Sequence, residues 1–193
     1  MPPSSLSYPR TTLPPMAKAG VSQLTYADLQ ALPDDHNRYE LIDGELLVSP
    51  SPSTAHQRAV GNLYMLLRPA CPPDLEVFVA PFDWLVDDHN VFVPDLLVAR
   101  TRDLTERNLP RPPVLAVEVL SPTTRHRDLG RKRDAYARAG LADYWVVDPL
   151  VPSVRMLELV DGTFCEVAHA ADDGSVIVER PFPVTVVPGD LVA

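Results

Sequence analysis

Two carboxylates interrupt stretches that otherwise have the apolar composition of buried β-strands. Glu118 lies within the apolar residues 114–120, and Asp95 follows Pro94 within residues 91–98. An ionised carboxylate in such a strand is costly unless a cation pairs with it or a metal ion binds it. Two such strands side by side would bring both groups to one hard cation, and carboxylate oxygens suit Mg²⁺ or Mn²⁺. The alternative for Glu118 is a strand-end carboxylate that pairs with an arginine or caps the next turn.

Lys132 lies on the helix that should follow the Glu118 strand. The predicted inward stripe of that helix follows 3, 4, 3 spacing: Leu129, Lys132, Tyr136 and Ala139. An inward lysine could orient a water molecule or neutralise developing negative charge at a catalytic site. The alternative is an ordinary i,i+4 pair with Asp128, worth about 0.2–0.5 kcal/mol. Tyr136 could steady Lys132, although a core tyrosine explains it equally well.

Glu40 and His56 are secondary candidates for the same site. Glu40 lies in a predicted strand, where it is either a third oxygen ligand for the metal or a solvated carboxylate. His56 lies in the first turn of a predicted helix, where its ring could meet a phosphate or a water molecule. The alternative for His56 is a surface histidine without a chemical role.

One local basic segment stands out in an acidic chain. The formal net charge of −9 argues against a protein that coats nucleic acid through bulk electrostatics. Residues 124–138 nevertheless carry six basic and two acidic side chains. The residues of this segment that we expect to contact a phosphate backbone are Arg125, Arg127 and Arg131. A solvated helix face is the alternative.

The composition predicts one globular domain behind a short tail. The chain has 193 residues, of which 46% are hydrophobic, so residues 21–193 can bury a core as a single domain. Residues 1–20 are rich in Pro, Ser and Thr and are predicted to be a disordered tail. Two cysteines are too few for a disulfide framework or a paired-cysteine zinc site. No apolar run approaches the roughly 18 residues of a membrane helix, and we expect a cytoplasmic protein that does not bind membranes.

The predicted elements alternate between helices and strands. Capping boxes at Thr25-x-x-Asp28 and Thr54-x-x-Gln57 predict helices from Thr25 through Leu32 and from Thr54 until Pro69. The predicted strands comprise a hairpin over residues 39–48 with its turn at 43–44, strands over 76–86 and 91–99, a central strand over 114–120, and a strand over 144–147. A helix over residues 128–139 should connect the last two, and further hairpin strands turn at 161–162 and include 184–187. This order predicts an α/β fold, more specifically α+β, with a mixed central sheet flanked by helices and extra hairpin strands.

These motifs together resemble the Uma-type restriction endonuclease family, a bacterial branch of the PD-(D/E)XK nuclease superfamily. The resemblance runs from about residue 25 to 149, and its motifs are YELIDGE at 39–45, the helix near His56, PD at 94–95, VEVLSP at 117–122, DxxxKxxxY at 128–136 and YWVVDP at 144–149. It implies a restriction-endonuclease-like mixed sheet, divalent-metal-dependent phosphodiester hydrolysis and a homodimer. By position, Asp95 and Glu118 are the two acidic residues of the motif. The superfamily's lysine would stand at Leu120, so Lys132 would supply the amine from the next helix.

The sequence therefore favours an endonuclease that uses Mg²⁺ or Mn²⁺ on nucleic acid, most simply DNA. In this hypothesis Asp95 and Glu118, assisted by Glu40, bind the metal, and Lys132 acts on the attacking water. A nuclease-fold binding or assembly module without turnover is the main alternative, favoured by Leu120 and the acidic net charge. A metal-dependent hydrolase of a smaller substrate is a third hypothesis.

Overall fold

The computed structural model describes residues 23–193 except 34, 36, 50, 123 and 124. For residue 127 it describes the backbone but not the side chain. The predicted tail at residues 1–20 lies outside the described residues. The described helices are α1 (Tyr26–Gln30), α2 (Thr54–Ala70), α3 (Arg125–Leu129), α4 (Arg131–Arg138) and α5 (Pro188–Val192), with a 3-10 turn at Thr101–Asp103. No helix in this part of the chain is both long and apolar enough to cross a lipid bilayer.

Strands of the described residues form two larger sheets and a small one. The six-stranded sheet has the order β11-β10-β9-β8-β6-β3, the five-stranded sheet has the order β2-β1-β5-β4-β7, and β12 pairs with β13. The strands of the six-stranded sheet are β3 (Leu75–Val79), β6 (Leu96–Arg100), β8 (Leu115–Val119), β9 (Asp143–Asp148), β10 (Ser153–Val160) and β11 (Thr163–Ala171). The others are β1 (Arg38–Ile42), β2 (Glu45–Ser49), β4 (Asp83–Asp87), β5 (Asn90–Phe92), β7 (Asn108–Leu109), β12 (Val176–Val178) and β13 (Val184–Val186). Both larger sheets are mixed, since β8 pairs in parallel with β9 and β4 with β7 while their other pairs are antiparallel.

The six-stranded sheet is covered on both faces, which explains the continuous apolar strands at its centre. Leu115, Val117 and Val119 pack in one core cluster with residues of α2 and α5. Ala116 and Leu120 pack in a second cluster with residues of α4 and the five-stranded sheet. Because successive strand residues point to opposite faces, β8 contributes to both clusters alternately. The predicted α+β fold with a mixed central sheet is confirmed, and β8 is one of its central strands.

Two predicted strands are each divided between the two larger sheets. Residues 76–86 form β3 in one sheet and β4 in the other, with Pro81 between them. Residues 91–99 form β5 and β6, with Val93, Pro94 and Asp95 between them. Proline has no amide hydrogen for a ladder bond, and each of these strands ends two residues before a proline. The second crossing places Asp95 at the junction of the two sheets.

The predicted helix over residues 128–139 is also divided. It consists of α3 and α4, which meet at Gly130, where φ is −119° and ψ is −96°. These backbone angles are not helical, and glycine adopts them at little steric cost. The expected end at Gly140 is confirmed, since Gly140 has a φ of +80° directly after the last turn. The strand-helix-strand unit β8-α3-α4-β9 is therefore present with parallel strands.

The capping predictions were right for one helix and wrong for another. Thr25 and Asp28 form the expected reciprocal capping box of α1. For α2 the cap is Ser53 instead of Thr54, since the Ser53 hydroxyl accepts from the His56 amide at 3.3 Å. Ser53 and Thr54 are adjacent and either side chain can cap a helix, so the helix start moves by one residue depending on which of them is the cap. The turn at Asp43 and Gly44 has two positive φ angles, as a tight hairpin requires.

Candidate active site

The backbone register of β6 and β8 brings Asp95 and Glu118 to the same face of the sheet. The two strands run antiparallel with Leu96 opposite Val117. Both of these residues point into the core cluster beneath α2. Glu118, the next residue of β8, therefore points to the other face, toward α4 and the five-stranded sheet, and Asp95, the residue directly before β6, continues this register at the sheet junction. Both residues are buried, with relative exposures of 2% for Asp95 and 0% for Glu118.

Asp95 is held by three donors from three different elements. Arg38 Nη1 on β1 donates to Oδ1. His56 Nε2 on α2 lies 3.1 Å from Oδ2, and the Val119 amide of β8 donates to the same oxygen at 2.8 Å. Although burial alone would raise the pKa of Asp95, the His56 hydrogen bond and the Arg38 charge hold it well below its usual range. Asp95 is therefore an ionised carboxylate at neutral pH.

Glu118 is held at one oxygen and lacks a hydrogen-bond partner at the other. Lys132 Nζ lies 2.7 Å from Oε1, and the Tyr136 hydroxyl donates to Oε1 at 2.6 Å. Oε2 is buried without a hydrogen-bond partner. Burial raises the pKa of Glu118 to about 8, against the opposing effect of Lys132 and with added repulsion from Asp95. A second cation at Oε2 would stabilise the ionised form.

Glu40 and Lys132 complete the buried cluster. Glu40 Oε1 accepts from the Val93 amide at 2.8 Å, and Lys132 Nζ lies 3.0 and 3.1 Å from Oε1 and Oε2 of Glu40. Glu40 is 2% exposed, so the alternative of a solvated strand carboxylate is wrong. Burial lowers the pKa of Lys132, but Glu118 and Glu40 together raise it above its usual range. Lys132 therefore bridges two carboxylates as a charged ammonium group, and the Asp128 charge acts on it as well.

Tyr136 is fixed by an aromatic cluster around it. Its ring centroid lies 5.3 Å from that of Trp84, 5.1 Å from Phe92 and 5.5 Å from Tyr144. Such edge and tilted contacts define ring orientation as well as burial. The hydroxyl is thereby aimed at Glu118, while Lys132 Nζ lies 5.8 Å from the ring centroid. Tyr136 is both a core residue and a donor to the site.

A cavity of about 940 Å³ opens beside Asp95, and its lining includes Asp95, His56 and Arg38. His56 is buried and bonded to Asp95, so the expected surface histidine is wrong. Glu118 and Lys132 do not line this cavity. The site consequently has an outer part that can meet a substrate and an inner part of buried charges behind it.

Arg38 is the site residue that the sequence analysis missed. Its side chain is 20% exposed, lines the cavity and pairs with Asp95, and its Nε lies 3.9 Å from Glu40 Oε2. A signal was available, because Arg38 and Glu40 are two residues apart on β1 and so share a face of the strand. Because the two side chains share a face, Arg38 turns inward together with Glu40.

The basic segment is engaged largely with the protein's own acids. Arg125 pairs with Asp148. Arg131 Nη1 lies 2.7 Å from Glu45 Oε2, and its Nη2 donates to the Ile42 carbonyl at 2.9 Å. The side chain of Arg127 lies outside the described residues. None of the described arginines of this segment lines the cavity. Contacts of Arg125, Arg127 and Arg131 with nucleic acid stay a prediction.

The donor atoms fit a divalent cation in chemistry, while the present hydrogen bonds compete with one. Among the described residues, no three His, Cys, Asp or Glu side chains are arranged as a metal site. Asp95 already pairs with Arg38 and His56, so a cation would have to displace one of these partners. The free Oε2 of Glu118 and the all-oxygen donor set are what a hard cation such as Mg²⁺ requires. The fit is therefore carried by Glu118 and, after displacement of a partner, by Asp95.

Comparison with known proteins identifies the family. The family model Uma2, described as "Putative restriction endonuclease", matches residues 26–188. The chain belongs to the Uma2 family. A crystal structure of a "putative nuclease belonging to DUF820" from Anabaena variabilis is similar, with 18% identity and a TM-score of 0.69 over 88% of this chain and 97% of that one. No curated protein matches.

In this Uma2 member the position of the superfamily's lysine belongs to the core. Leu120 is 4% exposed and packs in the cluster that also contains Tyr136 and Tyr144. Its amide donates to the Val147 carbonyl at 2.7 Å. The amine that reaches Glu118 comes from Lys132 on α4 instead. The charge of a lysine is thus present near Glu118, although its backbone position differs from the motif.

The raised pKa of Glu118 predicts a specific dependence of stability on pH. The ordinary pKa is 4.5 and the folded value is about 8, so between these values the folded protein keeps a proton that the unfolded chain has lost. The stabilisation from protonated Glu118 is complete below pH 4.5 and is lost as pH rises through 8, with a slope of up to about 1.4 kcal/mol per pH unit. Urea unfolding of wild type and Glu118→Gln from pH 6 to 9 measures this, since glutamine does not titrate. The wild type should lose stability more steeply than the variant, and equal slopes would contradict the raised pKa.

Proposed function

We propose that this chain is a divalent-metal-dependent endonuclease that hydrolyses phosphodiester bonds in nucleic acid. The observation that carries the proposal is the position of Asp95 and Glu118 on one sheet face, with a free Glu118 oxygen, beside a cavity that opens at Asp95. Membership of the Uma2 family and the nuclease-like fold support the same reaction class. A cytoplasmic location and a homodimer stay predictions.

Asp95 and Glu118 would hold Mg²⁺ or Mn²⁺, with Glu40 behind them. When bound, such an ion supplies Lewis acidity toward a phosphate oxygen and lowers the pKa of a coordinated water molecule. Glu40 is the weaker candidate ligand, because the Val93 amide and Lys132 already engage its oxygens. Its larger contribution is negative charge that keeps Lys132 protonated.

Arg38 and His56 are the groups that would meet the phosphate and the attacking water. His56 Nε2 faces an ionised carboxylate that can only accept, so Nε2 carries the hydrogen. In the neutral ring the proton acceptor is then Nδ1, which is buried without a hydrogen-bond partner. A water molecule that reached Nδ1 during the reaction could give up a proton to it, while Asp95 would stabilise the resulting imidazolium. Arg38 can move its guanidinium from Asp95 to a phosphate oxygen, since both are anionic acceptors.

Lys132 and Tyr136 would act through Glu118. Neither lines the cavity, and both bind Glu118 Oε1. They fix the orientation of the carboxylate and offset part of its burial cost. Their role is thus to position a metal ligand, a change from the water-orienting role suggested by the sequence alone.

A binding module without turnover is the second candidate, and one observation favours it. Each oxygen of Asp95 is already matched by donors from the protein itself, as expected of a site whose charges are structural. In that case the cavity would bind its ligand without hydrolysis.

The test is cleavage of single- and double-stranded DNA and RNA with Mg²⁺, Mn²⁺ or EDTA. The proposal predicts cleavage with either metal and none in EDTA. Binding of nucleic acid without cleavage in either metal would favour the second candidate. Hydrolysis of small phosphodiesters alone would point to a smaller substrate.

A further inference from the structure

The cavity beside Asp95 has two chemically different ends. Helix α2 forms one wall with residues at helical spacing: Gln57, Val60, Gly61 and Tyr64. Val79 and Pro81 also line the cavity, next to Asp95, whose carbonyl accepts from the Ala80 amide at 3.1 Å. With a volume of about 940 Å³, the cavity is at the upper end of the roughly 300–1,000 Å³ typical of small-ligand sites.

The end near the candidate active site suits a phosphate. Arg38 and His56 line it together with the first turn of α2, whose amide groups favour anions. A second observation points to a ligand there, because His56 is only 9% exposed and its Nδ1 has no hydrogen-bond partner. In the tautomer that Asp95 sets, Nδ1 accepts, so it suits a hydroxyl or a water molecule bound beside the phosphate. Among the described lining residues, Asp95 is the one carboxylate, and Arg38 and His56 both pair with it.

The other end suits a planar apolar group. Tyr64 is half-buried and packs against the core cluster beneath α2, so its ring has a fixed support. Val60, one turn before Tyr64 on the same helix, provides apolar surface. An aromatic ring supported in this way can stack with any nucleobase, so the contact does not depend on the nucleotide sequence.

We propose that this cavity binds an unpaired nucleotide of a single-stranded nucleic acid, with its base on Tyr64 and its phosphate at Arg38. This inference rests on the proposed function and names its substrate class. In a duplex the base faces are covered by stacking, so a base can reach Tyr64 only from a single strand or after extrusion. The net charge of −9 and the pairing of Arg125 and Arg131 with the chain's own acids disfavour binding through the phosphate backbone alone, so contacts with a base would supply much of the affinity.

Gly61 offers a variant that fills the cavity with little risk to the fold. A Cβ built on Gly61 meets nothing within 4 Å, and the residue lies in the middle of α2. Leucine favours helices more than glycine does, so Gly61→Leu should fold at least as well as the wild type. Its side chain would occupy space that a nucleotide needs.

The test is fluorescence anisotropy in EDTA and low salt, with fluorescein-labelled hexathymidylate and a hairpin duplex as probes. We expect wild type to bind the single strand about tenfold more tightly than the duplex, and Gly61→Leu and Tyr64→Ala each to weaken this binding about tenfold. Tyr64→Phe keeps the ring and should bind as wild type does. Met65→Ala is the matched control, because Met65 is the next residue of α2, is 69% exposed and does not line the cavity.

Three outcomes would overturn the inference. They are equal affinity for single strand and duplex, undiminished binding by Gly61→Leu, and no binding of hexathymidylate by the wild type. If metal-dependent cleavage of longer nucleic acid persisted in any of these cases, the proposed function would stand while this site assignment failed.

Discussion

Asp95→Asn is expected to lower metal-supported cleavage by about a thousandfold or more while the protein still folds. Asparagine keeps the size of the side chain and an oxygen for the Val119 amide. Its NH2 group would face Arg38, which is partly exposed and can turn toward Glu40, so the junction between the sheets should persist. The substitution removes the negative charge that would bind the metal and that would stabilise a protonated His56. Initial rates of cleavage with Mn²⁺, beside near-ultraviolet circular dichroism, would measure both effects.

Asp134→Asn is the matched control for this experiment. Asp134 lies on the exposed side of α4, away from the cavity, so the same chemical change should leave the rate within about twofold. If Asp95→Asn cleaved within tenfold of the wild-type rate, Asp95 would not be a metal ligand in the reaction.

Lys132→Met is expected to destabilise the fold by about 3–5 kcal/mol. The substitution removes the ammonium group that lies within 3.1 Å of both Glu118 and Glu40, and all three side chains are at most 2% exposed. Leaving a buried carboxylate without its ion-pair partner lowers the free energy of unfolding far more than an exposed ion pair raises it. The free energy of unfolding from urea titration at pH 7 measures the effect.

An exposed ion pair on the same helix provides the control for Lys132→Met. Arg138 and Asp43 lie 3.0 Å apart with more than half of each side chain exposed, so Arg138→Met should cost no more than about 1 kcal/mol. Adding Glu40→Gln to Lys132→Met should recover part of the loss, since it removes the buried carboxylate that is left without its cation. A loss below about 1 kcal/mol for Lys132→Met would show that the buried cluster is not paired as described.

The sequence predicted the buried carboxylates well because their surroundings are local. Apolar neighbours at both odd and even positions predicted that Glu118 lies in a strand covered on both faces of its sheet. The 3, 4, 3 spacing of the following helix predicted that Lys132 points inward. The same patterns could not say which partners each charge meets. Lys132 contacts Glu40, which is 92 residues away, and this follows only from how the two sheets meet.

The divisions of strands and helices were harder to predict. Residues 91–99 have the apolar composition of a single strand, yet Val93, Pro94 and Asp95 cross between sheets. Periodicity does not reveal which sheet a residue joins, because both sheets bury it equally. Arg38 was missed for a related reason, since its importance depends on Asp95 at the sheet junction and not on its own neighbours.

The most direct test of the site is calorimetric titration of Mn²⁺ into wild type and Glu118→Gln, with Asp95→Asn as a second variant. Binding by the wild type near one ion per chain, lost or weakened at least tenfold in both variants, is the predicted result. Unchanged binding in both variants, or no binding by the wild type, would contradict a metal centre built on Asp95 and Glu118.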